Sequence, residues 1–210
     1  ELGASPGPAL QQLHQRILSG DTALQPPAAP SPHRRRQSRT PAAVPRQLPA
    51  DVRGFTGRAA QLRRLDTLLA EASADGGASS LVLAVVGTAG VGKTALAVHW
   101  AHRVRDRFPD GQLYVDLRGY TPGSTPVTPL QALGRFLRAL GTEHDRVPED
   151  TEEAAAAFRT LVAGRRLLIL LDNACASDQV RDLLPGEPGC AVVVTSRDRL
   201  TGLSVRHGAH

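Results

Sequence analysis

Residues 80–96 read SLVLAVVGTAGVGKTAL. Leu81 to Val86 is an unbroken apolar run, the pattern of a strand buried on both faces. A glycine-bearing turn follows, Gly87-Thr88-Ala89-Gly90-Val91-Gly92, then Lys93, Thr94 and a helical pattern. The spacing is G-x-x-x-x-G-K-[ST], and the flanking strand and helix make it a phosphate site rather than a bare pattern match. Gly87, Gly90 and Gly92 let the backbone turn its N–H groups around phosphate oxygens with no Cβ in the way. The start of the following helix adds a positive dipole end, stabilising a bound anion by roughly 0.3–1 kcal/mol. Lys93 would neutralise the β/γ-phosphates, and the Thr94 hydroxyl would take a place on Mg²⁺.

Lys93 is the only lysine among 25 Lys plus Arg. A coding bias towards arginine explains the general shortage; lysine is kept where a compact ammonium on a flexible stem is wanted. Guanine is excluded by the same count, because the N/T-K-x-D signature that reads it needs a second lysine. Adenine is the expected base.

At 210 residues the chain holds one ordinary domain plus flanks. It has no methionine and so no initiator, and is expected to be a mature piece, an excised piece or an incomplete reading frame. No apolar run approaches the ~20 residues needed to span a bilayer, and nothing resembles a signal peptide. Cys175 and Cys190 are too few for a disulfide framework and are expected as buried free thiols in a reducing cytoplasm. The net charge is +5, much of it from Arg34, Arg35, Arg36, Arg39 and Arg46. Such a run can hold DNA phosphates non-specifically but more often belongs to a solvated spacer.

Three segments follow in order. Residues 1–19 carry Leu10, Leu13, Ile17 and Leu18 at helical spacing; one amphipathic helix is marginal alone, so it is expected to close a preceding all-α domain. Residues 20–50 are rich in Pro, Ala and Arg and are expected as a disordered linker, spanning about 30 Å as a flexible coil. From Asp51 to residue 210 apolar strands alternate with helices: a helix near Arg58–Ser73, the strand Leu81–Val86, a helix Thr94–Arg107, and a strand Gln112–Leu117. Helices Pro129–Leu140 and Asp150–Ala163 come next, then a strand Leu167–Leu171 ending in Asp172, a short helix Ser177–Leu184, and a strand Ala191–Thr195. The expected fold is α/β, a P-loop-type doubly wound parallel sheet of four strands. Ligands bind such sheets at the carboxyl ends of the strands, where Gly87, Asp172 and Thr195–Arg197 fall.

Asp172 follows five aliphatic residues, the Walker B arrangement, and would hold Mg²⁺ beside Thr94. Asn173 stands where many P-loop ATPases place a second acid. A neutral amide is a poor base, so hydrolysis should be slow unless another carboxylate such as Asp116 reaches in. Arg197, just past the fourth strand, is placed to reach a γ-phosphate. His99 and His102 have no third ligand nearby and are expected at the surface; Trp100 is expected in the core.

GFTGR at Gly54–Arg58, VVGTAGVGKTALAVHWAH at Val85–His102, LYVDLRGY at Leu113–Tyr120, LLILLDNA at Leu167–Ala174 and VVVTSRDRLTGL at Val192–Leu203 resemble the NB-ARC nucleotide-binding domain, most nearly its AfsR-like branch in the SARP class of bacterial antibiotic regulatory proteins. ELGASPGPALQQLHQRIL at Glu1–Leu18 resembles the closing helix of that class's bacterial transcriptional activation domain. The resemblance implies a STAND-type switch, ADP-bound at rest and ATP-bound when active. It sets Phe55, Gly57 and Arg58 beside the nucleotide, Lys93 and Thr94 on phosphate and Mg²⁺, Asp172 as the Walker B acid and Arg197 as the sensor. It also implies a winged helix and most of an activation domain before residue 1, and a fifth strand, a Gly-x-Pro helical region and a second winged helix after residue 207. Without that fifth strand, Leu81–Val86 would be an apolar edge.

The function expected is thus a cytoplasmic ADP/ATP-binding regulatory module with Mg²⁺ as cofactor, meeting promoter DNA only through another domain, self-associating on activation and touching no membrane. The alternatives are a P-loop ATPase or small-molecule kinase, and a protein holding DNA through its arginine linker.

Overall fold

The computed structural model describes residues 7–18, 44–74 and 80–203. The chain divides into two compact units, Glu1–Pro41 and Ala42–His210. In the first, the described element is helix α1 (Pro8–Leu18). The segment 20–43, with four of the five linker arginines, lies outside the described residues.

The second unit runs α2 (Ala59–Ala74), β1 (Leu81–Val86), α3 (Lys93–Val104), β2 (Gly111–Asp116), α4 (Pro129–Ala139), α5 (Thr151–Val162), β3 (Leu167–Ala174), α6 (Ser177–Arg181) and β4 (Ala191–Ser196). The strands form one parallel sheet in the order β1-β4-β3-β2, as an α/β sequence with helical crossovers requires.

The apolar strands explain why both faces are covered. Side chains alternate across a strand, so Leu167, Ile169 and Leu171 of β3 enter one core with Phe136, Leu137 and Phe158 of α4 and α5. Leu168 and Leu170 enter the opposite core with Leu65, Leu69, Leu96 and Trp100 of α2 and α3. Each fully buried Leu or Phe contributes ~1.5–3 kcal/mol relative to exposure. Helix starts follow their caps. Thr128 closes a capping box with Gln131 at α4, and Asp150 accepts from Glu152 N and Glu153 N at α5.

Both margins of the sheet bear on the expectations. Among the described residues β1 pairs with β4 alone; Val82 and Leu83 are buried, and exposure is concentrated at Val86. At the other margin, residues 44–50 correct the linker boundary, since they run beside β2 instead of hanging free. Pro45 O accepts from Gln112 N at 2.7 Å and Gln47 N donates to Gln112 O at 3.0 Å. Gly111 (φ 128°) permits this approach, because a Cβ there would lie 2.6 Å from Pro45 O.

Candidate functional site

The phosphate-loop residues Gly87–Gly92 join β1 to α3 at the carboxyl edge of the sheet. Gly90 (φ 75°) and Gly92 (φ 82°) hold the left-handed turns that a side chain resists. Gly92 is the N-cap of α3 and no side chain caps that end, so the first-turn amides keep donors for an anion. Lys93 Nζ folds over the loop and donates to Thr88 O at 2.8 Å. Beyond it lies a cleft of about 440 Å³ lined by Ala89, Gly90, Gly92, Lys93, Thr94, Asp172, Asn173, Thr195 and Arg197.

Asp172 is the hub of this cleft. It is buried, and its Oδ1 accepts from Thr94 Oγ1 at 2.8 Å and from Thr195 Oγ1. Tyr114 donates to Oδ2 at 3.4 Å. Burial, followed by the charges of Asp172 and Asp116, pushes the Tyr114 phenol well above its ordinary range, so the hydroxyl stays a donor. A buried carboxylate accepting three hydroxyls needs no cationic side chain to be satisfied.

Strand β3 does not end at Asp172 as expected; it continues to Ala174 through a bulge. Leu171 pairs with Val194 and Ala174 with Ser196, leaving Asp172 and Asn173 together opposite Thr195. Asn173 takes φ 59°, and its N–H donates to Thr195 Oγ1 at 2.9 Å. The bulge re-aims two consecutive side chains at the strand end. The Asn173 amide is engaged by Thr121 Oγ1 at 3.1 Å. Asp116 does not supply the missing acid: it accepts from Arg118 N at 2.8 Å and lies outside the cleft lining.

Arg197 lines the cleft mouth. Its guanidinium lies 4.8 Å from the centroid of the Tyr120 ring, with Nη2 3.4 Å from Tyr120 O. Tyr120 in turn donates its hydroxyl to Asp198. Phe55, Gly57 and Arg58 do not line this cleft. Arg58 (φ 54°) reaches the carbonyl of Val91 in the phosphate loop. Phe55 stacks on His99 with centroids 4.4 Å apart, and His99 is 3.1 Å from Asp51. His102 Nε2 meets Pro49 O at 2.7 Å. The two histidines are therefore ties between α3 and the segment 49–55 rather than free surface residues. Among the described residues no group of three His, Cys, Asp or Glu gathers to hold a metal.

Trp100 is fully buried, as expected. Of the two thiols only Cys190 is buried; Cys175 is half-buried. Residue patterns alone missed Tyr114, Tyr120 and Asp198, and assigned no role to Thr195. The alternation of β2 held a signal for the first: Tyr114 and Asp116 share a face, and Asp116 pairs in register with Asp172.

A parallel sheet whose glycine loop opens a helix, with an acid two strands away, across β4, bonded to the helix's second residue, defines the P-loop nucleoside-triphosphatase class. Within it, this chain belongs to the AAA ATPase domain family, whose model matches residues 54–186. It is AfsR-like throughout. It is 51% identical over 213 residues to the regulatory protein AfsR of Streptomyces coelicolor and 50% identical over 211 residues to that of Streptomyces griseus. Both alignments take in 100% of this chain and 20% of the relative, so the chain spans about a fifth of the length of the curated relatives it matches. Among solved structures it is similar in fold to the Aeropyrum pernix ORC2 protein, with a TM-score of 0.50 and 19% identity over 77% of this chain and 46% of that one. The family match stops before β4, so Thr195 and Arg197 lie beyond it.

Proposed function

We propose that this chain is the adenine-nucleotide switch of a transcriptional regulator, a member of the NB-ARC, STAND-type branch. Gly87–Thr94 cradles the phosphates with backbone amides and the Lys93 ammonium. Thr94 and Asp172 hold Mg²⁺; hydroxyl and carboxylate oxygens are the hard donors that ion takes. Magnesium supplies charge neutralisation at the phosphates when bound. Arg197 senses the γ-phosphate, while Phe55, Gly57 and Arg58 brace the nucleotide side of the loop. The observation that carries the proposal is the Thr94–Asp172 hydrogen bond beside Lys93, which places a hydroxyl, a carboxylate and an ammonium at one helix start.

Switching requires ATP and ADP to favour two arrangements of the whole protein. About 5.5 kcal/mol of differential binding drives a near-complete change. Asn173, neutral and engaged by Thr121, supports slow hydrolysis. Residues 1–19 belong to an activation domain, 20–43 to a linker, and the remainder to the nucleotide domain. Promoter DNA is met through another domain, self-association follows activation, and the protein works in the cytoplasm. The names of its AfsR relatives support the regulatory role. Among the described residues no helix is long and apolar enough to cross a membrane.

The test is nucleotide retention and turnover by the intact polypeptide with magnesium. Tight ADP retention, turnover well below one per second and loss of uptake in Lys93→Ala are the expected results. Turnover of many per second would mark an ATPase or kinase instead.

A further inference from the structure

A second cleft, of about 510 Å³, opens between α4 and the segment that follows it. Arg118, Arg135, Arg138 and His144 line it, with Glu149 as its acid and Val147 among its apolar residues. Among the described residues none of these three arginines is in an ion pair, whereas nearby Arg146 pairs with Glu143 at 3.1 Å and Arg181 with Asp178 at 3.4 Å. None of its lining residues is shared with the phosphate-loop cleft.

The cleft is built at conformational cost. Gly134 is buried within α4, where glycine is disfavoured. A Cβ there would stand 3.3 Å from Arg138 Nη1 and 3.6 Å from Val147 Cγ1. The absent side chain thus makes the room in which the Arg138 guanidinium lies back over its own helix. Arg118 holds φ 53°, uncommon for a residue with a side chain, and its N–H is anchored on Asp116. A helix-interior glycine and a left-handed arginine meet at one arginine-lined cavity.

We propose that this cleft is a second anion site, for a small ligand joining a phosphoryl group to an apolar body. Guanidinium forks match phosphoryl oxygens in pairs, and three of them exceed what the two oxygens of a carboxylate can engage. The volume falls within the ~300–1,000 Å³ of small-molecule sites. Duplex DNA fits poorly, since its backbone needs an extended basic stripe, while these arginines line one local cleft that also carries Glu149.

The probe is phenyl phosphate, titrated calorimetrically into the full chain, with benzyl alcohol as the uncharged control. Sub-millimolar uptake is expected in the wild type and in Lys93→Ala. Uptake falls at least tenfold in Arg135→Ala/Arg138→Ala and several-fold in Arg135→Lys/Arg138→Lys, which keeps the charge and loses the fork. Both arginines are exposed, so circular dichroism and the melting temperature should be unchanged. The proposal is overturned if phenyl phosphate is not taken up, if the double alanine variant binds as the wild type does, or if uptake disappears with Lys93. Retention of duplex DNA or an acidic peptide with phenyl phosphate silent would overturn it too.

Discussion

Thr94 Oγ1 donates to Asp172 Oδ1 at 2.8 Å, a hydrogen bond between residues 78 apart in sequence. It closes the gap between the start of α3 and the bulged end of β3, and Thr195 from β4 shares the same oxygen. Three elements of the sheet edge are tied through one carboxylate. Such preorganisation lowers the ordering cost of binding.

Asp172→Ala should therefore cost stability as well as metal-assisted binding. It strips the acceptor from three hydroxyls, and each one left unsatisfied costs ~1–3 kcal/mol when buried. Water reaches the cleft side, so the total belongs at the lower end of that range. The melting temperature should drop by roughly 2–4 °C per kcal/mol for a chain of this size. Magnesium should lose its effect on nucleotide affinity while metal-free ADP is still held. Equal magnesium dependence in variant and wild type would remove Asp172 from the site.

Gly119→Ala tests the joint between the β2 loop and β3. A Cβ at Gly119 would lie 2.6 Å from both Asn173 O and Cys175 N. Those are backbone atoms, which cannot swing aside as a flexible side chain does. The bulge carrying Asp172 and Asn173 must shift, and Gly119 N would lose its 2.8 Å hydrogen bond to Asn173 O. Destabilisation of roughly 1–3 kcal/mol is expected, as for an overpacked core, with weakened nucleotide uptake. Gly123→Ala is the control, because nothing lies within 4 Å of its Cβ position; its φ of 69° confines its cost to local strain.

The strands, their parallel pairing and the phosphate loop were legible because each rests on local pattern: consecutive aliphatics, glycine spacing and the one lysine. Leu81–Val86 matches its expected limits. What surrounds Asp172 was not legible, because it depends on register. Tyr114 and Thr195 reach the carboxylate only once β2 and β4 flank β3. The bulge escaped as well, since Asp172-Asn173 looks like a strand end when polarity alone marks the boundary. Residues 44–50 were lost for the opposite reason: their composition is that of a linker, and only the Gly111 approach shows that they dock. Arg197 was placed at the correct edge, but its stacking on Tyr120 is a long-range contact that no spacing encodes.

Trp100 makes a built-in reporter of folding. It is the only tryptophan, fully buried between α2 and the sheet, with Nε1 donating to Asp66 Oδ1 at 2.9 Å. Native fluorescence should be blue-shifted and shift red in one cooperative step with urea. Trp100→Ala should cost about 3–5 kcal/mol, as for a large aromatic removed from a packed core. Asp66 keeps Arg103 at 3.2 Å, so its carboxylate is not stranded. A red-shifted native spectrum would contradict this packing.

The two tyrosines set the alkaline limit of the fold. Burial, then the charges of Asp172 and Asp116, raises the Tyr114 phenol; slight burial and the hydrogen bond to Asp198 raise that of Tyr120. A folded-state value above the unfolded one means that the folded chain holds its protons more tightly. The stabilisation is fully present below about pH 10, the ordinary phenol value, and is lost as pH climbs above it, because the unfolded state sheds its protons first. Urea midpoints should therefore not change with pH through these two residues near neutrality and should fall above about pH 10. In Tyr114→Phe that alkaline fall should be smaller, since the more buried phenol has been removed. Absorbance at the phenolate band should rise late and together with loss of the Trp100 signal. Phenolate absorbance saturating near pH 10 in the native protein would show that neither hydroxyl is held as the structure has it.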